Sequence, residues 1–243
     1  MGWIKVVGIG PGSYGDMTVR ALNALKECDA VIGYITYINF IKHLLESKEI
    51  ISTGMRQEVE RCKKALELAG RGRNVCLVSG GDPGIYGMAG LLFEMVRKNG
   101  GDFDIEVIPG VSAANSAASV LGAPLMHDFA VISLSDHLTP WPVIEKRIQF
   151  AAKGDFVMVL YNPQSRERKG NLSRAWEIMM RYKSPRTPAG IVKNASREGE
   201  TVIITSLCDM LKYEVDMTTV IIVGNKDTFT EKGKMITPRG YAL

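Results

Sequence analysis

Along the first half of the chain, short unbroken apolar runs alternate with stretches whose apolar residues recur every three to four positions. The runs predict strands and the recurrences predict helices. Ile4–Gly8 is the first run, followed after a turn by Val19, Leu22, Ala24 and Leu25 at helical spacing. Further strands are expected at Asp29–Gly33, Glu49–Ser52, Val75–Ser79 and Ile105–Ile108. Helices are expected over Tyr34–Glu46, around Val59, Cys62, Ala65, Leu66 and Ala69, and over Met88–Lys98 and Ser112–Leu121. Gly70 and Gly72 stop the second of these. Strict alternation of this kind argues for a parallel sheet covered by helices on both faces.

The second half keeps the strands but loosens the alternation. Strands are expected at Phe129–Leu134, Phe156–Tyr161, Ala189–Lys193, Thr201–Thr205 and Thr219–Val223, and helices at Trp141–Ala152 and Leu172–Tyr182. Two strands meet around Arg197–Gly199 with no helix between them, which allows a hairpin and hence a mixed sheet. The expected fold is therefore two α/β domains, residues 1–118 with a mostly parallel sheet and residues 119–243 with a mixed one. A ligand cleft is expected between them.

Composition narrows the class without naming a function. A chain of 243 residues can bury about 70–75% of its unfolded surface, so its fold needs no covalent staples. With 46% hydrophobic residues and a net charge of +4, disorder is excluded. That charge suits anionic partners but is too small for wrapping duplex nucleic acid. Cys28, Cys62, Cys76 and Cys208 form no CxxC pair and read as reduced, buried small hydrophobes. His43, His127 and His137 make no ligand array with them, so no protein-bound metal is expected. The first strand begins so early that no signal peptide is expected. Residues 107–126 carry no charge, yet Pro109, Pro124, two glycines and three serines punctuate them, so no membrane span is expected there. A cytoplasmic protein is the resulting expectation.

Candidate chemistry sits in three loops, each directly after a predicted strand. Gly8-Ile9-Gly10-Pro11-Gly12-Ser13 lets the backbone turn sharply and approach a ligand. It fails as a dinucleotide fingerprint: Ser13 stands where a third glycine belongs, and Tyr34 where an acid should end the second strand. The other two loops are Ser79-Gly80-Gly81-Asp82-Pro83-Gly84-Ile85-Tyr86-Gly87 and Ile108-Pro109-Gly110-Val111-Ser112-Ala113. In a parallel sheet all three emerge at the carboxyl edge, where ligands bind. Asp82, the one charge among them, either caps the following helix or faces a ligand.

On these loops, with Thr18 opening the first helix, the sequence resembles the tetrapyrrole (corrin/porphyrin) methylase family. The likeness continues through Gly33-Tyr34 with Tyr37, the stretch Gly110 to Trp141, and Leu160-Tyr161-Asn162-Pro163 with Ser165-Arg166. The resemblance implies transfer of a methyl group from S-adenosylmethionine, leaving S-adenosylhomocysteine. The acceptor it implies is C17 of a precorrin-3-type tetrapyrrole, cobalt-bearing or metal-free, with contraction of the ring. Matched by motif, the donor would be held by Pro11, Gly80, Gly81, Asp82, Ile85, Ser112 and Ala113, and by Tyr161, Asn162, Asn194 and Ala195. A homodimer is also implied; from charge and sequence pattern, neither nucleic acid nor a membrane is expected as a partner.

Methyl transfer to an electron-rich carbon asks mainly for alignment, so the lack of a recognisable catalytic triad agrees with it. The acceptor's carboxylates ask for cations, and Arg166, Arg168, Lys169 and Arg174 cluster after the Tyr-Asn-Pro loop, with Lys193 and Arg197 at another turn. Arg166 and Arg168 are the candidate substrate ligands, with Tyr34 and Tyr37 as ring partners. A solvated basic face remains the plain alternative. Ring contraction needs proton handling, for which His127, Asp128, Asp136 and His137 are the candidates. Methylation of another ring carbon, or non-catalytic binding of S-adenosylmethionine or a tetrapyrrole, are the competing functions.

Overall fold

A computed structural model describes residues 1–165 and 170–242. It divides into two compact units, Met1–Ala113 and Ala114–Leu243. The first contains β1 (Ile4–Gly8), α1 (Val19–Glu27), β2 (Ala30–Tyr34), α2 (Ile35–Ile41), β3 (Glu49–Thr53), α3 (Glu58–Gly70), β4 (Val75–Ser79), α4 (Ala89–Asn99) and β5 (Ile105–Ile108). Its strands form one wholly parallel sheet in the order β3-β2-β4-β1-β5.

Alternate side chains of each strand serve opposite faces of this sheet. Val7, Val31 and Val78 pack with Ala21 and Leu25 of α1 and Ile38 and Ile41 of α2. Ile4, Val6, Ile32 and Leu77 pack on the other side with Cys62 and Ala65 of α3 and Leu92 of α4. Each fully buried Leu or Ile contributes about 1.5–3 kcal/mol, so the sheet is fixed from both faces. The chain leaves β1 toward one face and the adjacent β4 toward the other. That reversal marks the carboxyl ends of these two strands as the usual ligand position in an α/β sheet.

The second unit begins within α5 (Ala113–Leu121), whose first residue is the last of the first unit. It comprises β6 (Gly122–Ala123), β7 (Phe129–Ser133), α6 (Trp141–Lys153), β8 (Val157–Tyr161), α7 (Asn171–Met180), β9 (Pro188–Lys193), β10 (Thr201–Ser206), β11 (Thr219–Val223), β12 (Phe229–Glu231) and β13 (Lys234–Ile236). The main sheet has the order β10-β9-β11-β8-β7, with only the β7–β8 pair parallel. The hairpin expected near Arg197 is the β9–β10 pair. Because β8 and β9 both oppose β11, strands β7, β8 and β9 run in one direction. They end at a common edge, at Ser133, Tyr161 and Lys193. Ile144 and Ile148 of α6 and Ala175 and Met179 of α7 cover this sheet's Met158, Leu160, Ile191 and Ile221.

Three details depart from the sequence reading. Helix α2 stops at Ile41 and finishes as a 3-10 turn over Lys42–Leu44. A small sheet of β12, β13 and β6 was not anticipated. Cys208 is exposed while Cys28, Cys62 and Cys76 are buried, because Cys208 sits on a short 3-10 segment whose inward residues are Leu207 and Met210. Among the described residues, no helix is long and apolar enough to cross a membrane.

Candidate functional site

The carboxyl edge of the first unit is built from peptide groups. Beyond the parallel β1–β4 pair the two loops form an isolated antiparallel bridge. The Gly10 N–H donates to Gly81 O at 3.2 Å, and the Gly81 N–H donates to Gly10 O at 2.7 Å. Gly81 lies at φ 66, a left-handed conformation that suits glycine. A Cβ on Gly110 would stand 2.2 Å from Gly81 O and 2.8 Å from Gly8 O, so no side chain fits where the three loops meet. Pro11 and Ser112 are buried, whereas Ile85 is exposed.

Asp82 ties the second loop to the third. Its Oδ1 accepts the Gly84 N–H at 2.8 Å and its Oδ2 accepts the Gly110 N–H at 3.1 Å. It does not cap α4, whose cap residue is Met88 and lacks a side-chain cap bond. Thr18 caps α1 by accepting the Ala21 N–H at 3.1 Å, and its hydroxyl donates to Pro109 O at 3.4 Å. A cap of this kind contributes about 1 kcal/mol. Here it also anchors the third loop, a link the sequence showed only as a helix start.

Tyr34 and Tyr37 follow β2 and meet edge to face, their ring centroids 5.3 Å apart. Tyr37 lies over Gly80, where an added Cβ would come within 2.6 Å of its ring. The predicted tyrosines and the second glycine loop therefore share this edge. Ala113 begins α5 directly after the third loop.

In the second unit, Tyr161 and Asn162 end β8 while Asn194 and Ala195 follow β9, at the common edge. Tyr161 accepts the Ala114 N–H on its hydroxyl at 2.8 Å, satisfying a free donor in the first turn of α5. Asn162 and Asn194 stand at φ 51 and φ 52. Asparagine tolerates that region better than most residues. The Asn162 side-chain amide donates to Ser133 Oγ at 2.9 Å, and the Ser116 and Ser196 hydroxyls lie 2.8 Å apart, joining α5 to the turn that holds Ala195.

The candidate acid–base residues are all exposed. His127 and Asp128 form a local turn in which the Asp128 N–H donates to His127 Nδ1 at 2.8 Å. Asp136 and His137 lie on the loop after β7, separate from that turn. The loop starts from a fixed point, since buried Asn171 donates to Leu134 O at 2.8 Å. Arg166, Arg168 and Lys169 lie outside the described residues. Arg174 sits over the Trp141 ring at 4.3 Å, and Lys193 pairs with Asp216 at 2.7 Å.

A cavity of about 460 Å³ opens at the opposite edge of the second sheet, near Asp155, Lys183, Pro188 and Asn225. It has none of the motif residues. Its buried Lys183 is consumed internally, donating to Phe156 O at 2.8 Å, Gly224 O at 3.0 Å and Asp155 at 3.3 Å. Burial lowers the Lys183 pKa and Asp155 offsets part of that effect. Burial also pushes the Cys62 thiol up to about 11, so it is no ready nucleophile. Among the described residues, no group of three or more His, Cys, Asp or Glu gathers as a metal site.

The model of the tetrapyrrole (corrin/porphyrin) methylases matches residues 4–210. A Salmonella typhimurium protein named probable cobalt-factor III C(17)-methyltransferase is 54% identical over 99% of this chain and 100% of its own length. The crystal structure of the methyltransferase CobJ superposes with a TM-score of 0.92 at 36% identity, covering 98% of this chain and 100% of that one. Uroporphyrin-III C-methyl transferase from Thermus thermophilus, complexed with S-adenyl homocysteine, gives 0.75 at 26% identity, covering 92% and 97%.

Proposed function

The chain belongs to the tetrapyrrole (corrin/porphyrin) methylases, and from that premise we propose that it methylates C17 of cobalt-factor III and contracts the macrocycle, in cobalamin biosynthesis. The end-to-end likeness to the Salmonella methyltransferase carries this reading. S-adenosylmethionine supplies an electrophilic methyl group. The family and the S-adenyl homocysteine complex of the Thermus relative support it as the donor.

The residues fit such a donor. An adenine, two ribose hydroxyls and an amino-acid head are met by neutral peptide donors and acceptors, which the glycine loops supply at close range. In this reading Pro11, Gly80, Gly81, Asp82, Ile85, Ser112 and Ala113 hold the donor in the first unit. Tyr161, Asn162, Asn194 and Ala195 contribute from the second. Asp82 acts chiefly by keeping two loops in register. Tyr34 and Tyr37, with Arg166 and Arg168, receive the tetrapyrrole, and His127, Asp128, Asp136 or His137 handles the proton of ring contraction. Holding donor and acceptor in line is the protein's main contribution to rate. The working form is a cytoplasmic homodimer.

Anaerobic incubation with cobalt-factor III and S-adenosylmethionine tests this by mass spectrometry and carbon NMR. The expected product has gained one methylene's mass, with the transferred carbon at C17 of a contracted ring. A methyl group on another carbon would reassign the position, and binding of both compounds without turnover would make the protein a sensor or carrier.

A further inference from the structure

The ligand edge of the first unit carries a fourth loop, outside the glycine motifs. It runs from Thr53 at the end of β3 to Gln57 before α3, and Thr53 pairs in register with Tyr34. Arg61 frames it from below. Its side chain is 5% exposed, and it donates to Thr53 Oγ1 at 2.6 Å, Gly54 O at 2.9 Å and Glu58 Oε1 at 2.8 Å. The Gly54 N–H donates to Gln57 Oε1 at 2.8 Å. A buried guanidinium is costly without partners, so this set of bonds makes the loop a defined shape rather than a loose connection.

On that frame Arg56 is held at φ 65. Among the described residues of the first unit, only one other non-glycine has a positive φ: Tyr86, at φ 55 in the second glycine loop. A long side chain in this region costs about 1 kcal/mol that glycine would avoid. Both strained residues stand at the carboxyl edge, and both are exposed. Strain retained at a ligand edge points to a use for the side chain that causes it.

The chemistry of the two side chains is complementary. Arginine offers a planar fork to a carboxylate. Tyrosine offers a ring face to a flat conjugated partner. Strand β3 is separated from β4 by β2, so their loops start two strand spacings apart, about 10 Å. A macrocycle with its peripheral carboxylates spans that distance, and Tyr34 and Tyr37 lie between. We propose that Arg56 and Tyr86 are substrate-binding residues for the tetrapyrrole, Arg56 engaging a peripheral carboxylate and Tyr86 packing against the ring. This rests on the proposed function above.

Glycine at these positions separates the side chain from the backbone. Arg56→Gly and Tyr86→Gly relax the backbone at each position, so neither variant should unfold more easily than the parent. The expected result is a KM for cobalt-factor III raised about tenfold or more in each variant, with S-adenosylmethionine affinity within about twofold of the parent. Arg56→Lys should recover part of the loss. An unchanged KM in a stable, active Arg56→Gly variant would overturn the arginine's role, and the same result for Tyr86→Gly would overturn the tyrosine's. An equal loss of donor affinity would also overturn the proposal, since the residues would then serve the donor. A parent protein that neither binds nor methylates cobalt-factor III would overturn the proposed function itself, and this inference with it.

Discussion

In the first unit the loops after β1, β4 and β5 touch mainly through backbone, with Asp82 and Thr18 adding side-chain ties: Gly10 pairs with Gly81, and Gly110 leaves no room for a Cβ. In the second unit the turns after β8 and β9 are shaped by side chains instead, through Asn162 on Ser133 and Ser196 on Ser116. The difference reflects the sheets beneath. Five parallel strands place consecutive loops at one edge, where they must pass within van der Waals contact. A mixed sheet sends only three strand ends to its edge, leaving space that polar side chains fill. Errors in the first edge are therefore steric and abrupt, and errors in the second are graded.

The sharpest way to break this contrast is Gly110→Ala. The added methyl collides with backbone on two other loops and no flexible side chain can yield. Unfolding in urea should show a loss of about 3 kcal/mol, with S-adenosylmethionine binding abolished. A loss under about 1 kcal/mol would mean that the edge adapts and the contrast is false.

Asn162 gives an intermediate effect that separates two causes. Asn162→Gly keeps the left-handed backbone and removes only the bond to Ser133, for a cost of about 1 kcal/mol. Asn162→Ala adds backbone strain and should cost about 2 kcal/mol. Equal costs in the same urea titration would show that φ 51 is not a strained state there.

The smallest effect concerns the ion pair beside Asn194. Burial pushes the Asp216 carboxyl upward, but hydrogen bonds from Lys193 and Thr218 outweigh it and hold the pKa at about 2. A depressed carboxylate stabilises the fold above its unfolded pKa of about 3.9, and that contribution is lost as pH falls toward about 2. Both partners are about two-fifths exposed, so Asp216→Asn should lower Tm by about 2 °C or less at pH 7. The difference from the parent should vanish near pH 2. A pH-independent difference would assign the effect to packing.

Much of the alternating architecture was legible because its strands are unbroken apolar runs, as in Val75–Ser79, bounded by glycine or proline. The short strands β6 and β12–β13 were not, since two or three residues carry no periodicity. The three glycine loops announced an edge by composition alone. What Asp82 does there was hidden, because its partner Gly110 lies 28 residues away and only the sheet order brings them together. Arg61 was hidden for a related reason: its position among polar residues of α3 looks solvated until the β3 loop folds over it.

Among the described residues, strand β10 has no strand neighbour on its outer side. Its six residues, Thr201–Ser206, are β-branched except for the last, carry no charge and contain no proline. A segment of that length and character stacks readily with copies of itself once a fold loosens. Glu200 and Asp209, just outside it, are the nearest charges that oppose such stacking. Association through β10 is therefore the route by which a loosened second unit would join other copies of this chain.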